Sequence, residues 1–275
     1  CGAACSPCAQ SAGSTATCDG VSCSFTCAEG FGPCAASVGC CSWEVITVES
    51  STTSQGWTGE FANIALNAAG VPHLTWTQQT SKVRHGAWNG SGFTKSFVAS
   101  GTSWKTGNGI GFSPAGALAV TYNDGGTKIY KGAVGVTATL LSNVGDLGRT
   151  SIVYEPGGGY FLGFQSGAST GFANVYYSLP GVAANVVKVA TTGSGKADGT
   201  SLAIDPSGKV HLVYPVSWKG WIRYASASVA SPTSWSKQTI QGEGAGVGAE
   251  VAVGADGIPH VSFSDAGPGN RTLRL

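Results

Sequence analysis

A repeat organises most of this 275-residue chain. One glycine follows a short apolar run in each of five units, at spacings of 46, 42, 50 and 49 residues: Gly70, Gly116, Gly158, Gly208 and Gly257. Around each glycine lie two stretches of alternating apolar and polar residues, with Asn, Asp, Ser, Pro or Gly between them. This pattern is typical of two strands joined by a tight turn. Each unit therefore predicts a β-hairpin.

More strands follow in each unit. The predicted third strands are residues 83–87, 129–133, 175–179, 222–226 and 273–275, and the first four units have a fourth, at 93–98, 138–142, 185–189 and 235–240. Four antiparallel strands in a unit of this length form one blade of a β-propeller. The sequence thus predicts an all-β, five-bladed β-propeller over residues 42–275. A two-sheet sandwich would not explain the period.

The fifth unit has no fourth strand after its third. The segment Ser42-Trp-Glu-Val-Ile-Thr-Val48, just before the first unit, is similar to Ser234–Ile240, the fourth strand of unit four. We expect the strand 42–48 to pair with the third strand of the last blade. That pairing would close the ring and cover an exposed sheet edge.

The cysteines divide the chain in two, because all nine lie within the first 41 residues. This segment has almost no aliphatic side chains, so residues 1–41 are predicted to form a small disulfide-rich module in an oxidising compartment. Zinc is the alternative use of clustered cysteines. No histidine precedes His73, however, and the cysteine spacing fits no standard zinc finger.

The first residues, Cys1-Gly2, resemble the mature end of a bacterial lipoprotein, whose first cysteine carries the lipid. The resemblance implies lipidation of Cys1 and leaves an even set for four disulfides: Cys5, Cys8, Cys18, Cys23, Cys27, Cys34, Cys40 and Cys41. It also implies a secreted or lipid-anchored protein at the bacterial cell surface, touching the membrane only through that lipid. The alternative is a free or intermolecular thiol at Cys1.

The repeat units resemble propeller repeats of secreted bacterial proteins. The shared motif is Gly-x-Pro-His-(Val/Leu)-x-aromatic, present here as Gly257-Ile-Pro-His-Val-Ser-Phe263. Such repeats occur in lectins and in carbohydrate-active enzymes, so the resemblance implies an architecture and no particular reaction. The sialidase box Ser-x-Asp-x-Gly-x-x-Trp is not matched at residues 254–260, which disfavours sialidase activity.

Candidate catalytic residues come from the starts of the innermost strands, which meet at one mouth of a propeller channel. These positions carry Glu60, Asn108, Arg149, Asp198 and Glu250. Glu60, Asp198 and Glu250 lie on neighbouring blades of a closed ring, opposite Arg149. Three converging carboxylates could serve as the acid and base of a glycosidase or bind Ca²⁺ through oxygen ligands. The alternative is a solvated rim, and no other metal or cofactor is expected.

Histidines and tryptophans give further candidates. His73, His211 and His260 share one repeat position, where other units have Ala119 and Phe161, so we expect structural histidines bonded between blades. His85, in a third strand, has no evident acidic partner in the sequence. Four tryptophans in or beside loops depart from the repeat and could stack on sugar rings or anchor a protein partner: Trp57, Trp104, Trp218 and Trp221.

The charge balance limits the class of partner. The chain has 15 Lys+Arg against 14 Asp+Glu, so nucleic-acid binding is not expected. No recognised catalytic motif is present. The favoured hypothesis is a non-catalytic, surface-anchored module that binds a glycan or an extracellular or envelope protein through propeller loops. The alternatives are a secreted glycan-degrading hydrolase or lyase, and a structural subunit of an envelope assembly.

Overall fold

The computed structural model describes residues 14–18, 23–28, 31–33, 40–42, 46–50, 58–78, 81–101, 105–124, 128–142, 149–166, 171–193, 199–216, 220–242, 245–265 and 272–274. The chain forms two compact units, Cys1–Thr47 and Val48–Leu275. This division falls close to the boundary expected at Ser42. The described segments hold no helix long and apolar enough to cross a membrane.

The N-terminal unit contains two small antiparallel pairs. Strand β1 (Ser14–Cys18) pairs with β2 (Cys23–Cys27), and β3 (Phe31–Pro33) pairs with β4 (Cys40–Ser42). Cys27 is disulfide-bonded. Cys1, Cys5, Cys8 and Cys34 lie outside the described residues, so the lipid on Cys1 and the set of four disulfides stay predictions.

The larger unit consists of five consecutive antiparallel sheets. Sheet I contains β5 (Thr58–Leu66), β6 (Pro72–Gln78), β7 (Lys82–Trp88) and β8 (Phe93–Ser100). Sheet II contains β9 (Lys105–Phe112), β10 (Leu118–Asp124), β11 (Lys128–Ala133) and β12 (Val136–Ser142). Sheet III contains β13 (Ser151–Tyr154), β14 (Tyr160–Ser166), β15 (Gly171–Leu179) and β16 (Val182–Gly193).

Two further sheets complete this unit. Sheet IV contains β17 (Ser201–Ile204), β18 (Lys209–Val216), β19 (Trp221–Ser228) and β20 (Ser236–Gln241). Sheet V contains β21 (Ala245–Val253), β22 (Pro259–Asp265) and β23 (Thr272–Arg274). Within each sheet the strands are hydrogen-bonded in chain order, as the repeat predicts.

The repeat glycines lie in the turns between the first and second strands. Their φ angles are positive, between 74° and 95°, a region that suits glycine. A side chain at the start of the turn holds most of these turns closed. Asp205, for example, accepts hydrogen bonds from the backbone N–H groups of Ser207 and Lys209 through Oδ1, at 2.8 and 2.9 Å. Turn chemistry thus sets the hairpin of each unit.

Consecutive sheets pack through their first strands. Strand β5 contacts β9, β9 contacts β13, β13 contacts β17, and β17 contacts β21. Buried apolar clusters join the sheets: Val83 lies with Val120, Ile129 with Leu162, Phe161 with Leu212, and Val213 with Val251. Five antiparallel sheets stacked in chain order give an all-β, propeller-like fold.

Polar bonds near the first strands link the same sheets. Asn108 donates through Nδ2 to Thr77 Oγ1 at 3.1 Å, and Val251 N donates to Ser201 Oγ at 3.1 Å. The hydroxyls of Thr121 and Thr150 lie 2.8 Å apart. These bonds satisfy buried polar groups where the strands are narrowly spaced and add direction to the apolar packing.

Of the predicted closing strand 42–48, the structure describes Ser42 and residues 46–48, and none of these pairs with sheet V. Ser42 pairs with Phe31 in the N-terminal unit, and residues 46–50 have no strand pairing. Glu49 instead contacts sheet I: its carboxylate accepts from Trp76 Nε1 at 2.6 Å and pairs with Arg84 at 3.2 Å. This anchoring holds Glu49 through its side chain, without a backbone ladder.

Candidate functional site

A groove lies between sheets IV and V. It has a volume of about 670 Å³. Its walls come from β18, β19 and β20 on one side and from β22 on the other, with Lys209, Tyr224, Ser226, Ser236, Lys237, Gln238, Ile240, Gln241, Pro259, Val261 and Phe263 as lining residues. We call it the IV/V groove. Its lining combines hydroxyl, amide and aromatic groups with two lysines, Lys209 and Lys237.

A chain of hydrogen bonds fixes the Tyr224 wall of this groove. The Tyr224 hydroxyl lies 2.6 Å from His211 Nδ1, and His211 Nε2 lies 3.2 Å from Asp205 Oδ2. His211 is 2 % exposed and Tyr224 9 % exposed. Tyr224 is thus held in one rotamer by its ring packing and by a buried polar partner.

The direction of these bonds follows from the state of Asp205. Burial acts to raise the pKa of Asp205, but hydrogen bonds from Ser207, Lys209 and His211 outweigh it and lower the pKa to about 2. An ionised carboxylate only accepts hydrogen bonds, so His211 donates through Nε2–H. His211 Nδ1 then accepts from the Tyr224 hydroxyl. The Tyr224 hydroxyl therefore donates its hydrogen bond to His211, inside the protein.

A second groove lies at the same position of the repeat, between sheets II and III. It has a volume of about 540 Å³. We call it the II/III groove; its lining residues are Ala117, Leu118, Lys131, Gly132, Ala133, Val134, Val136, Thr137, Thr139, Leu141 and Tyr160. Lys131 pairs with Thr121, and Tyr224 pairs with Val213. Thr121 and Val213 each lie five residues after a repeat glycine. Lys131 and Tyr224, which pair with them, therefore occupy the same position of the repeat.

The structure brings together two of the five predicted strand-start residues. Arg149 Nη1 lies 2.9 Å from Glu250 Oε1, in an ion pair whose side chains are 36 % and 53 % exposed. The pair joins sheet III to sheet V. Asp198 and the side chain of Glu60 lie outside the described residues, so the convergence of three carboxylates is not tested.

Asn108, the remaining strand-start residue, is fully buried and bonded to Thr77. It belongs to the packing between sheets I and II. The described residues contain no group of three or more His, Cys, Asp and Glu that could hold a metal ion. The Ca²⁺ hypothesis depends on Glu60 and Asp198 and stays untested.

Of the four candidate tryptophans, the structure describes the side chain of Trp221. This residue begins β19, is half-buried and packs against the apolar cluster shared by sheets III and IV. The Arg223 guanidinium lies 5.2 Å from the ring centroid of Trp221. Trp221 lines neither groove. Trp57, Trp104 and Trp218 lie outside the described residues.

The repeated histidines were expected to bond between blades, and this detail is wrong for two of them. His211 bonds to Asp205 and Tyr224 of its own sheet. His73 Nδ1 lies 2.9 Å from His85 Nε2 in sheet I. The reason is geometric, because the third strand lies directly beside the second and offers the nearest polar side chain. The contact of His73 with sheet II is aromatic, edge-on to Phe112 at 4.8 Å.

Sequence reasoning missed the residues that line both grooves. Tyr224 and Lys131 lie on predicted third strands, and the repeat pattern alone marks neither as functional. The available signal is the strand register: the residue opposite the fifth position after each repeat glycine varies between units, from Lys131 to Tyr224. The equivalent residues in sheets I and III, His85 and Val175, are buried, so this variation alone does not separate groove residues from core residues.

Comparisons with solved structures support the fold. A protein of unknown function from Dyadobacter fermentans is similar with a TM-score of 0.58 and 8 % identity, covering 76 % of each chain. A mutant of the Aleuria aurantia lectin AAL, solved in complex with Fucalpha1-6GlcNAc, is similar with a TM-score of 0.54 and 13 % identity. That match covers 78 % of this chain and 73 % of the lectin. No protein-family model and no curated protein matches the sequence.

Proposed function

We propose that this protein is a non-catalytic, extracytoplasmic recognition module that binds glycans in the grooves between its propeller sheets. The observation that carries the proposal is the recurrence of one groove at the same repeat position. Volumes of about 670 and 540 Å³ suit small ligands. A lectin of similar fold binds Fucalpha1-6GlcNAc, which makes a sugar the first ligand to test.

The lining of the IV/V groove offers groups that suit a neutral sugar, beside two lysines, of which Lys237 donates through Nζ to Val189 O at 2.8 Å. Ser226, Ser236 and Gln238 offer hydroxyl and amide groups that can donate to and accept from sugar hydroxyls. Tyr224 and Phe263 are largely buried but line the groove, and they add apolar contact for the C–H groups of a sugar ring. Tyr224 is already rigid, so little side-chain entropy is lost on binding. Two grooves on one chain would also add avidity toward branched or clustered glycans.

The enzyme alternative has less support. Glu250, one of its three carboxylates, is engaged by Arg149 at a partly exposed position. The grooves, by contrast, contain no carboxylate among their lining residues. A glycosidase needs two carboxyl groups flanking the scissile bond. We therefore favour glycan recognition over glycan hydrolysis.

Replacing Gln238 by alanine tests the IV/V groove. Gln238 is exposed on β20 and lines the groove, so its loss should leave the fold intact. We expect Gln238→Ala to weaken binding of a neutral sugar by about 3- to 10-fold, since one hydrogen bond contributes about 1 kcal/mol. The measurement is isothermal titration of the full chain, starting with Fucalpha1-6GlcNAc and a panel of neutral oligosaccharides.

Thr239→Ala is the matched control. Thr239 is the next residue in the same strand and is also exposed, but it does not line the groove. Its substitution should leave the affinity unchanged. Equal effects of the two substitutions, or no binding of any sugar by the wild-type chain, would remove the proposed function.

We further propose that the five sheets close into a five-bladed ring. Ile64 in β5 is 63 % exposed, whereas the equivalent Ile110, Ile152, Leu202 and Val251 are 4 to 8 % exposed. In sheets III and V this position packs on the sheet before it: Ile152 lies beside Gly111, and Val251 lies in one cluster with Val213. For sheet I, only sheet V can fill that place in a ring. The Arg149–Glu250 pair, which joins sheets two units apart, fits such curvature.

Truncating Ile64 distinguishes a closed ring from an open one. In a closed ring Ile64→Ala leaves a cavity and should lower the free energy of unfolding by about 2 kcal/mol. In an open ring the change should stay within about 0.5 kcal/mol, as for other surface positions. Urea denaturation measures the difference. Val182→Ala, at a 48 % exposed valine that begins β16, is the control expected to be neutral in both cases.

A further inference from the structure

In the II/III groove a lysine, Lys131, lies on the third strand, whereas the two lysines of the IV/V groove, Lys209 and Lys237, lie on its second and fourth strands. Lys131 is half-buried on β11, and its Nζ lies 4.2 Å from the ring centroid of Tyr160 and 5.8 Å from that of Tyr154. Both tyrosines belong to sheet III, so the ammonium bridges the two walls. In the IV/V groove the equivalent position is Tyr224, a neutral side chain.

The ammonium of Lys131 has no carboxylate partner in the described part of the chain. The other lining residues of the II/III groove are apolar, apart from two threonines and Tyr160. Partial burial of a charge without a counter-ion is unfavourable, and the faces of two tyrosines compensate for it only in part. Burial accordingly lowers the pKa of Lys131. An anionic group at this place would restore the missing partner.

We propose that the II/III groove binds an acidic sugar, with a carboxylate or sulfate oxygen against Lys131 Nζ and the sugar ring in the groove beside Tyr160. This inference rests on the proposed glycan-binding function and specifies its ligand class at one of the two grooves. A carboxylate and a sulfate share the chemistry that Lys131 recognises, a compact anion that accepts hydrogen bonds from an ammonium. At the IV/V groove Lys237 Nζ donates to Val189 O at 2.8 Å and Lys209 is exposed to solvent, so the proposal of a neutral sugar is kept there.

Matched pairs of probes test the ligand class on the full-length chain. Trigalacturonate is compared with its neutral methyl ester, and a 6-sulfated galactose disaccharide with its unsulfated parent. We expect at least one charged probe to bind 10-fold or more tightly than its neutral counterpart. The carboxylate pair and the sulfate pair separate the two possible sources of the anion. Sodium sulfate alone should compete at least 10-fold more weakly than the sugar, and equal competition would overturn sugar recognition.

Substitutions at Lys131 locate the binding. Lys131→Gln should weaken the charged probe by 10-fold or more, and Lys131→Arg should retain binding within about 3-fold because it keeps the charge. Lys128→Gln, at an exposed lysine three residues earlier on the same strand, should have no effect. Unchanged binding of the charged probe by Lys131→Gln would overturn the assignment.

Binding at the IV/V groove separates this inference from the proposed function. If neutral sugars bind and Gln238→Ala weakens them, while neither charged probe gains affinity over its neutral parent, the acidic-sugar inference fails and the glycan-binding function stands. If the charged probe is lost with Gln238→Ala and kept with Lys131→Gln, the inference also fails. If no sugar binds at all, both fail together.

Discussion

Replacing Gly199 by alanine is expected to lower the free energy of unfolding by about 3 to 5 kcal/mol. Gly199 leads into β17 with a φ of +102°, a conformation that side-chain-bearing residues rarely adopt. A Cβ atom there would collide with the Arg149 Cβ and lie 2.7 Å from the Arg149 Cα and backbone N. Because backbone atoms cannot move away cheaply, the first strands of sheets III and IV would have to separate. Urea denaturation measures the loss, as a lower midpoint concentration with an unchanged m-value.

Gly208→Ala is the matched control for this substitution. Gly208 has a similarly positive φ of +79°, but nothing lies within 4 Å of the place that an alanine Cβ would take there. Its cost should be about 1 kcal/mol, from backbone conformation alone. The difference between the two variants isolates the close approach of sheets III and IV. Equal losses would show that the junction yields, and that Arg149 is not held by this contact.

Hairpin positions were predictable because they depend on local chemistry. A tight turn needs a residue that tolerates positive φ, and the repeat glycines provide it in every unit. The strands on either side alternate in polarity because one face is buried. The order of strands within each sheet follows from the short connections. Each of these features depends on residues that are close together in the sequence.

Strand lengths in the third unit were less predictable. The sequence predicts the third strand at 175–179, but β15 begins at Gly171, and β16 runs from Val182 to Gly193 instead of 185–189. The added residues are Gly, Ala, Thr and others with weak alternation, so periodicity does not reveal them. Their pairing is imposed by the neighbouring strand, with register shifts along β15 and β16. Tertiary pairing here overrides local preference.

The grooves could not be predicted, because each is made by two sheets. Lys131 and Tyr160 are far apart in the sequence and meet only when sheet III packs on sheet II. The candidate tryptophans do not follow the repeat, which suggested a functional role. Trp221 is instead a packing residue, partly buried against the apolar cluster shared by sheets III and IV. A similar limit applies to the 42–48 strand, whose likeness to Ser234–Ile240 did not determine its partner.

Acidification is expected to destabilise sheet I through a pair of neutral histidines. Burial, and secondarily the neighbouring His73, lower the pKa of His85 to about 4 from an ordinary value of 6.5. Asn67 explains why neither ring takes up a proton easily. Its Oδ1 accepts from Ala69 N and Val71 N, which turns Nδ2 toward His73 Nε2 at 3.4 Å. His73 therefore donates through Nδ1–H to His85 Nε2. The lone pair of His85 Nε2 accepts this hydrogen bond, so a proton can bind there only if the bond breaks.

The sign of the pH effect follows from this lowered pKa. Below pH 6.5 the unfolded chain binds a proton at His85 that the folded chain does not, so stability is full above pH 6.5 and falls as the pH drops toward 4. The difference between the pKa values of His85 in the unfolded and the folded chain corresponds to a loss of about 3 kcal/mol. Chemical denaturation at a series of pH values between 7 and 4 measures it. Carboxylates such as Asp205, whose pKa is about 2, contribute at lower pH.

His85→Gln should flatten this part of the stability profile. Glutamine can accept from His73 Nδ1 but does not titrate, so the variant should lose about 3 kcal/mol less than the wild type between pH 7 and pH 4. His260→Gln, at an exposed histidine of the repeat position, should leave the wild-type profile unchanged. The difference between the two variants isolates the contribution of His85, because the other titrating groups are common to both. Parallel profiles for wild type and His85→Gln would show that the histidine pair takes up protons as freely in the folded chain as in the unfolded one, and the buried contact between β6 and β7 would then have to admit water.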